Sequence, residues 1–163
     1  MCVRIIVDSS TDVSEKYREK IQFVPLTVRF GDKEYLDGVE LSKHQFYEML
    51  VESDVLPTTS QATPAAFADC FEAIASAGDS AVVITLSSKL SGTWQGANIA
   101  AAETGGEVYI VDSLNVAVGE KAIVEYALRM KDAGTDIHTI VETLNHEKEN
   151  LRVIALLDTL EYL

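Results

Sequence analysis

The run Ala81-Val82-Val83-Ile84-Thr85-Leu86 constrains this chain more than any other stretch. Its β-branched, nearly uninterrupted apolar character reads as a short buried strand. The residues that follow, Ser87-Ser88-Lys89-Leu90-Ser91-Gly92-Thr93, open a helix near Ser91. A strand that ends in hydroxyls at a helix start suits a small anion. The first backbone N–H groups of a helix have no intrahelical partner and carry the positive end of its dipole, which favours a carboxylate or phosphate by roughly 0.3–2 kcal/mol. An ordinary N-cap and turn accounts for the same residues, since Ser and Thr are common caps.

The strand-then-helix pattern recurs along the chain. Cys2 to Val7 is a β-branched apolar run, stopped by Asp8-Ser9-Ser10-Thr11-Asp12, a cluster of turn and capping residues, and a short helix is expected from Val13 to about Lys20. Val24, Leu26, Val28 and Phe30 alternate as in one strand over Phe23 to Phe30. Gly31-Asp32 then forms a hairpin tip, with Lys33 to Leu36 returning. Ser42-Lys43-His44-Gln45 fits a capping box, and Phe46, Tyr47, Leu50 and Val51 share one face of a helix ending near Ser53. Leu56 to Thr63 is polar and leads into a helix with Thr63 as cap, Pro64 first and a buried stripe of Phe67, Cys70, Phe71 and Ile74. Past the central strand, a helix runs from about Ser91 to Glu103, and Val108 to Val111 is a further strand ended by Asp112-Ser113-Leu114-Asn115. Two more helices follow, one over Val116 to Lys131 with Ile123, Val124, Ala127 and Leu128 inward, the next with Ile137, Ile140, Val141 and Leu144 inward. Leu151 to Leu157 reads as an apolar strand, and Asp158 to Leu163 as the start of another helix.

Parallel neighbours need right-handed crossovers, so this alternation predicts an α/β fold: a mostly parallel sheet with helices on both faces and a small antiparallel hairpin. A chain of 163 residues forms one domain, 1–163, because a single core of that size buries about 70% of the unfolded surface. The net charge of −13 argues against a basic face for nucleic acid or an anionic membrane. Met1 runs straight into a strand without a basic leader, and no apolar run approaches about eighteen residues, so a cytoplasmic protein without membrane insertion is expected. Cys2 in its strand and Cys70 on its helix are expected as buried thiols rather than a bridge or metal pair.

In such sheets ligands bind beyond the carboxyl ends of the strands. Asp8 to Asp12, Ser87 to Thr93 and Asp112 to Asn115 all follow strands, and Thr58 to Gln61 approaches from the preceding loop. An enzyme reading is the rival to a binding protein. A Ser87, Ser88 or Ser91 nucleophile has neither a G-x-S-x-G elbow nor an evident base, and His44, His138 and His146 fall on helices away from the strand ends. Asp8 and Asp12 either cap a helix or hold Mg²⁺ in an α/β phosphotransferase, while Walker A and G-x-G-x-x-G loops are missing. The alternative class is therefore a small-anion or phosphate-handling α/β hydrolase or phosphotransferase. Trp94 is expected in the core, just inside the helix after Ser91.

Four of these stretches, Asp8-Ser9-Ser10-Thr11-Asp12, Leu56-Pro57-Thr58-Thr59-Ser60-Gln61, Ser87-Ser88-Lys89-Leu90-Ser91-Gly92-Thr93 and Asp158-Thr159-Leu160-Glu161-Tyr162-Leu163, resemble in order and spacing the DegV family of bacterial fatty-acid-binding proteins. The resemblance covers the whole chain and implies a DegV-like N-terminal domain over 1–163, with the family's usual second domain absent. It implies that Thr59 and Ser91 hydrogen-bond the carboxylate of a long-chain fatty acid with the Gly92 backbone nearby, and it adds Ser9, Ser60 and Thr93 of the same motifs to the ligand-binding set. It also implies a non-catalytic carrier without cofactor or metal, which presents the acyl carboxylate to a separate fatty acid kinase for phospholipid synthesis. Where the family often has Ser and Gly after an aspartate–serine pair, this chain reads Val116-Ala117-Val118-Gly119-Glu120. Burying some fifteen methylenes at about 0.8 kcal/mol each supplies roughly 12 kcal/mol before ordering costs, so the headgroup contacts mainly orient the ligand.

Overall fold

The structure, a computed structural model, describes residues 2–156. In chain order the elements are β1 (Val3–Asp8), β2 (Ile21–Val24), β3 (Thr27–Phe30), β4 (Lys33–Leu36), α1 (Lys43–Glu52), β5 (Thr58–Ser60), α2 (Pro64–Ser76), β6 (Ser80–Thr85), α3 (Thr93–Glu103), β7 (Glu107–Asp112), α4 (Val118–Asp132) and α5 (Ile137–Glu147). β2, β1, β6 and β7 form a four-stranded parallel sheet in that order, and β4, β3 and β5 form a separate antiparallel sheet.

Side-chain alternation divides the parallel sheet between two cores. Ile5, Val7, Val82, Ile84 and Val111 face α4 and α5, where they pack with Ile123, Val124, Leu128, Ile140 and Leu144. Ile6, Ala81 and Val83 face Phe67, Cys70, Phe71 and Ile74 of α2 and Ala97 and Ala100 of α3. Helices thus cover both faces, and the central strand β6 is buried along its whole length. The small sheet has its own cluster, Val28, Phe30 and Leu41, against Tyr35, Phe46 and Met49. The hairpin between β3 and β4 turns at Gly31, whose φ of 57° suits a residue without a Cβ.

Several expectations are corrected. Phe23 to Phe30 is two strands in two different sheets, because Pro25 cannot donate to a ladder and breaks the run. Leu26 resumes on the other side, its N–H held by Ser9 Oγ at 3.0 Å. The short helix after Asp12 is a 3₁₀ segment over Glu15–Lys20, with no side-chain cap from Ser14. Thr58–Ser60, read as loop, is a strand pairing antiparallel with β3. Residues 151–156 form no strand: they have no ladder partner, and Ile154 and Leu156 are 93% and 100% exposed, so the apolar run has no buried face to hold it flat. Leu157 and the expected helix over 158–163 lie outside the described residues. Cys2 precedes β1 and is exposed, while Cys70 is buried as expected. Trp94 is half-buried and belongs to none of the three cores; Gly96, Ala97 and Ala100 take the inward face of α3 instead.

Candidate functional site

The loops that leave β1, β6 and β7 at their carboxyl ends are tied together by their own backbones. Asp8 Oδ2 accepts the Leu86 N–H at 2.7 Å, and Asp8 Oδ1 accepts the Ser10 N–H at 3.0 Å. Ser87 N–H donates to the Asn115 carbonyl at 2.8 Å, Ser113 N–H to the Thr85 carbonyl at 3.1 Å, and Ser88 N–H to Asp112 Oδ1 at 3.1 Å. Thr11 forms a bridge with Ala117. Asp8 and Asp12 therefore do not cap a helix: Asp8 is buried as a staple between loops, and Asp12 is ion-paired to Lys43 of α1. The Lys43 bond holds the Asp12 carboxyl below its ordinary range. Among the described residues, no group of three or more His, Cys, Asp or Glu side chains is placed to hold a metal ion.

Against this rim lies a cavity of about 420 Å³. It is lined by Ser9, Ser10, Thr11 and Asp12 from the loop after β1, Thr59 from β5 and Ala117, and by Val28, Phe46 and Tyr47, with Lys43 and Asp37 also on its wall. The Val28 to Thr59 register across β3 and β5 sets an apolar side chain beside a hydroxyl. The cavity lining thus combines hydroxyl donors with apolar side chains.

Ser91, Gly92 and Thr93 lie against the segment after β5. Ser91 Oγ accepts the Thr93 N–H at 3.2 Å and lies 3.0 Å from Thr93 Oγ1, which in turn accepts the Ala62 N–H at 3.3 Å. Thr93 is fully buried by these bonds, and Ser91 is half-buried. Gly92 is the N-cap of α3 and offers no side-chain cap, and a Cβ built on it would come within 2.9 Å of Gln61 Cδ, so Gln61 lies directly over it. Of the residues expected from the sequence, Ser9 and Thr59 share the cavity, while Ser91, Gly92 and Thr93 adjoin Gln61 and Ala62. Ser60 is exposed on β5 and pairs with Thr27.

Sequence reasoning missed Glu120. It is fully buried in the first turn of α4, where its Oε2 takes the Ser10 hydroxyl at 2.8 Å and its Oε1 has no partner among the described residues. Burial, and then the negative Asp8, push its carboxyl up to about 9. The signal was present: Glu120 stands three and four residues before Ile123 and Val124, on the inward face of the same helix. α4 is entered through Ala117, whose φ of 50° and ψ of −118° lie outside the regions comfortable for a side chain.

Among the described residues, neither a histidine nor a carboxylate bonds the Ser87, Ser88 or Ser91 hydroxyl. His44, His138 and His146 are exposed on α1 and α5. No helix among the described residues is long and apolar enough to cross a membrane.

Comparisons with known proteins converge on one family. A family model described as an uncharacterised protein of the DegV family matches residues 2–163. A DegV domain-containing protein of Caldanaerobacter subterraneus is 35% identical over 164 residues, covering 99% of this chain and 58% of that protein, so the chain spans little more than half the relative's length. Among solved structures, a DegV lipid-binding protein from Thermotoga maritima superposes with a TM-score of 0.83 at 32% identity, over 92% of this chain and 55% of that one. A stearic acid-binding protein from Eubacterium ventriosum gives a TM-score of 0.83 at 27% identity, over 89% of this chain and 52% of that one. The parallel sheet with its hydroxyl-bearing loops and this match along the whole chain lead to one assignment: the chain belongs to the DegV family.

Proposed function

We propose that this chain binds a long-chain fatty acid and acts as a carrier rather than an enzyme. The observation that carries the reading is a cavity lined both by the hydroxyl residues Ser9, Ser10, Thr11 and Thr59 and by the apolar side chains Val28, Phe46 and Tyr47. Such a lining suits a carboxylate joined to an alkyl chain, because it gives donors to the charged oxygens and leaves the methylenes against carbon. The names of the superposing proteins, one binding stearic acid and one a lipid, support the same ligand class.

In this reading Thr59, Ser9, Ser91 and the Gly92 backbone hold the carboxylate, with Ser60 and Thr93 beside them. Ser91 and Gly92 act at the uncapped start of α3, where the helix dipole favours an anion. The Lys43 charge offsets Asp12 at the cavity wall. The carrier works in the cytoplasm without metal or cofactor and presents the carboxylate to a fatty acid kinase, which phosphorylates it for phospholipid synthesis. A solvent-accessible headgroup among loops fits that handover better than an enclosed one.

The test is mass spectrometry of the lipid extracted from purified protein, for the wild type and the double variant Thr59→Ala, Ser91→Ala. Stoichiometric fatty acid in the wild type and its loss from a double variant with unchanged circular dichroism are expected. A folded double variant that keeps full occupancy would overturn the residue assignment, and a wild type without lipid that also takes up none on incubation would overturn the ligand class.

A further inference from the structure

Two carboxylates are fully buried at one end of the parallel sheet, and one serine touches both. Ser10 N–H donates to Asp8 Oδ1 at 3.0 Å, and Ser10 Oγ lies 2.8 Å from Glu120 Oε2. Their surroundings are unequal. Asp8 is served by two backbone N–H groups, from Ser10 and Leu86, which donate only and so favour the ionised form. Among the described residues Glu120 has one hydroxyl partner and one buried oxygen, Oε1, with none. Two like charges in that space repel through a poorly solvated interior, so the proton resides on the less well served acid. Ser10 is itself a wall residue of the proposed binding cavity. The Glu120 carboxyl is therefore one hydroxyl away from the cavity wall.

We propose that Glu120 is a positioning residue that works as a neutral acid: it holds Ser10 without placing a second negative charge behind the cavity, and binding of a fatty-acid carboxylate is coupled to retention of this proton. The inference rests on the fatty-acid reading and adds a proton to it. The charged groups around Glu120 do not replace that proton. β1 contributes Asp8, and the loop after it contributes Asp12, already paired with Lys43 of α1. Asp37 adds a further negative charge toward Asp8. On α4 itself, Lys121 acts on Asp12, and Glu125 accepts the Ser14 hydroxyl. β6 has no charged residue, and on α5 His138, Glu142 and His146 are exposed, the two histidines lying beside Glu107 and Glu147. Arg152, on the segment whose Val153 lies against Gly119, bonds the Glu149 and Leu151 carbonyls, so among the described residues an ionised Glu120 would face an incoming carboxylate with no cation in direct contact. Binding the anion must then tighten the grip on the proton, and by linkage the proton must tighten binding of the anion.

The experiment follows the carbon-13 signal of glutamate side-chain carboxyls in the full chain, with and without bound palmitate. The Glu120 resonance is identified by its loss in Glu120→Gln. It is expected at the protonated position at neutral pH, to titrate near 9 in the free protein, and to titrate higher when palmitate is bound. Each unit of that rise corresponds to about a tenfold loss of affinity when the acid ionises. Palmitate affinity in the wild type should accordingly weaken from neutral to alkaline pH by more than in Glu120→Gln. A Glu120 signal that titrates with the other glutamates, or one that bound palmitate leaves unmoved, would overturn the inference while leaving fatty-acid binding intact. Failure of palmitate to bind at any pH would overturn the fatty-acid reading, and the coupling with it.

Discussion

Glu120 gives the folded state a pH dependence that its place in the first turn of a helix does not suggest. Burial first, and Asp8 second, raise its carboxyl to about 9, and burial moves Asp8 in the same direction. A folded pKa above the unfolded one means that the folded state holds the proton more tightly. Stability is then greatest below the unfolded glutamate value, declines as pH rises through neutrality, and levels off above the folded value. Asp12, Asp79 and Asp136 shift downward, so their contribution is present above the unfolded aspartate value and is lost only as pH falls into the acid range. The expected outcome is a wild-type melting temperature that falls steadily from about pH 5 toward pH 9 and a much flatter curve for Glu120→Gln, with the variant more stable at the alkaline end. Calorimetry across that range checks it, and parallel curves for the two proteins would refute the neutral-acid assignment. The same residue shows where reading a sequence stops: helical spacing places Glu120 on the inward face, but an acidic residue in a first turn is equally well explained by the helix dipole in water.

At the scale of the element, what was legible followed from local chemistry. The Ser42 and Gln45 side chains form the expected capping box, Thr63 caps α2 with Pro64 at its first position, and the Phe67, Cys70, Phe71, Ile74 stripe is buried as the 3.6-residue period requires. What was illegible depends on partners distant in the chain. Thr58–Ser60 is polar and becomes a strand only because β3 offers an edge to it, and the alternation from Phe23 to Phe30 continues across Pro25 although the two halves enter different sheets. The site divides in the same way: the hydroxyl loops at the strand ends were readable, whereas the apolar wall from Phe46 and Tyr47 required the packing of α1 on the small sheet. The entry into α4 is a case with a measurable consequence. Ala117 occupies its N-cap with φ 50° and ψ −118° and no side-chain cap. Glycine tolerates that backbone and is a better N-cap than alanine, and relief of the strain outweighs the added freedom of the unfolded chain. Ala117→Gly should therefore stabilise the protein by about 1 kcal/mol, raising the melting temperature by roughly 2–4 °C for a domain of this size. An unchanged or lowered melting temperature would mean that Ala117 is not strained.

For the molecule as a whole, the proposed binding of a carboxylate by a chain of net charge −13 must rely on local donors, with most of the affinity drawn from the hydrocarbon. The cavity of about 420 Å³ is toward the small end of ligand pockets, which run from about 300 to 1,000 Å³. Beyond Tyr47, itself 63% exposed, the apolar surface continues along α1 and past its end through Val51, Val55 and Leu56, which are 86%, 61% and 57% exposed. Under the proposed function, a long acyl chain fixed by its carboxylate at Thr59 and Ser91 would have its first methylenes enclosed and its later ones laid on an open surface. Each enclosed methylene contributes about 0.8 kcal/mol, close to fourfold in affinity, whereas one that stays in water contributes nothing and one on an open face only part of that. Titration calorimetry over a series of saturated fatty acids of increasing length should accordingly give a steep rise for the first members and a clear flattening before the longest. The length at which the slope breaks measures how many methylenes this part of the fold encloses. A slope that stays constant to the longest acid would show that the surface beyond Tyr47 closes over the chain, and the absence of any dependence on length would show that the cavity takes only the headgroup.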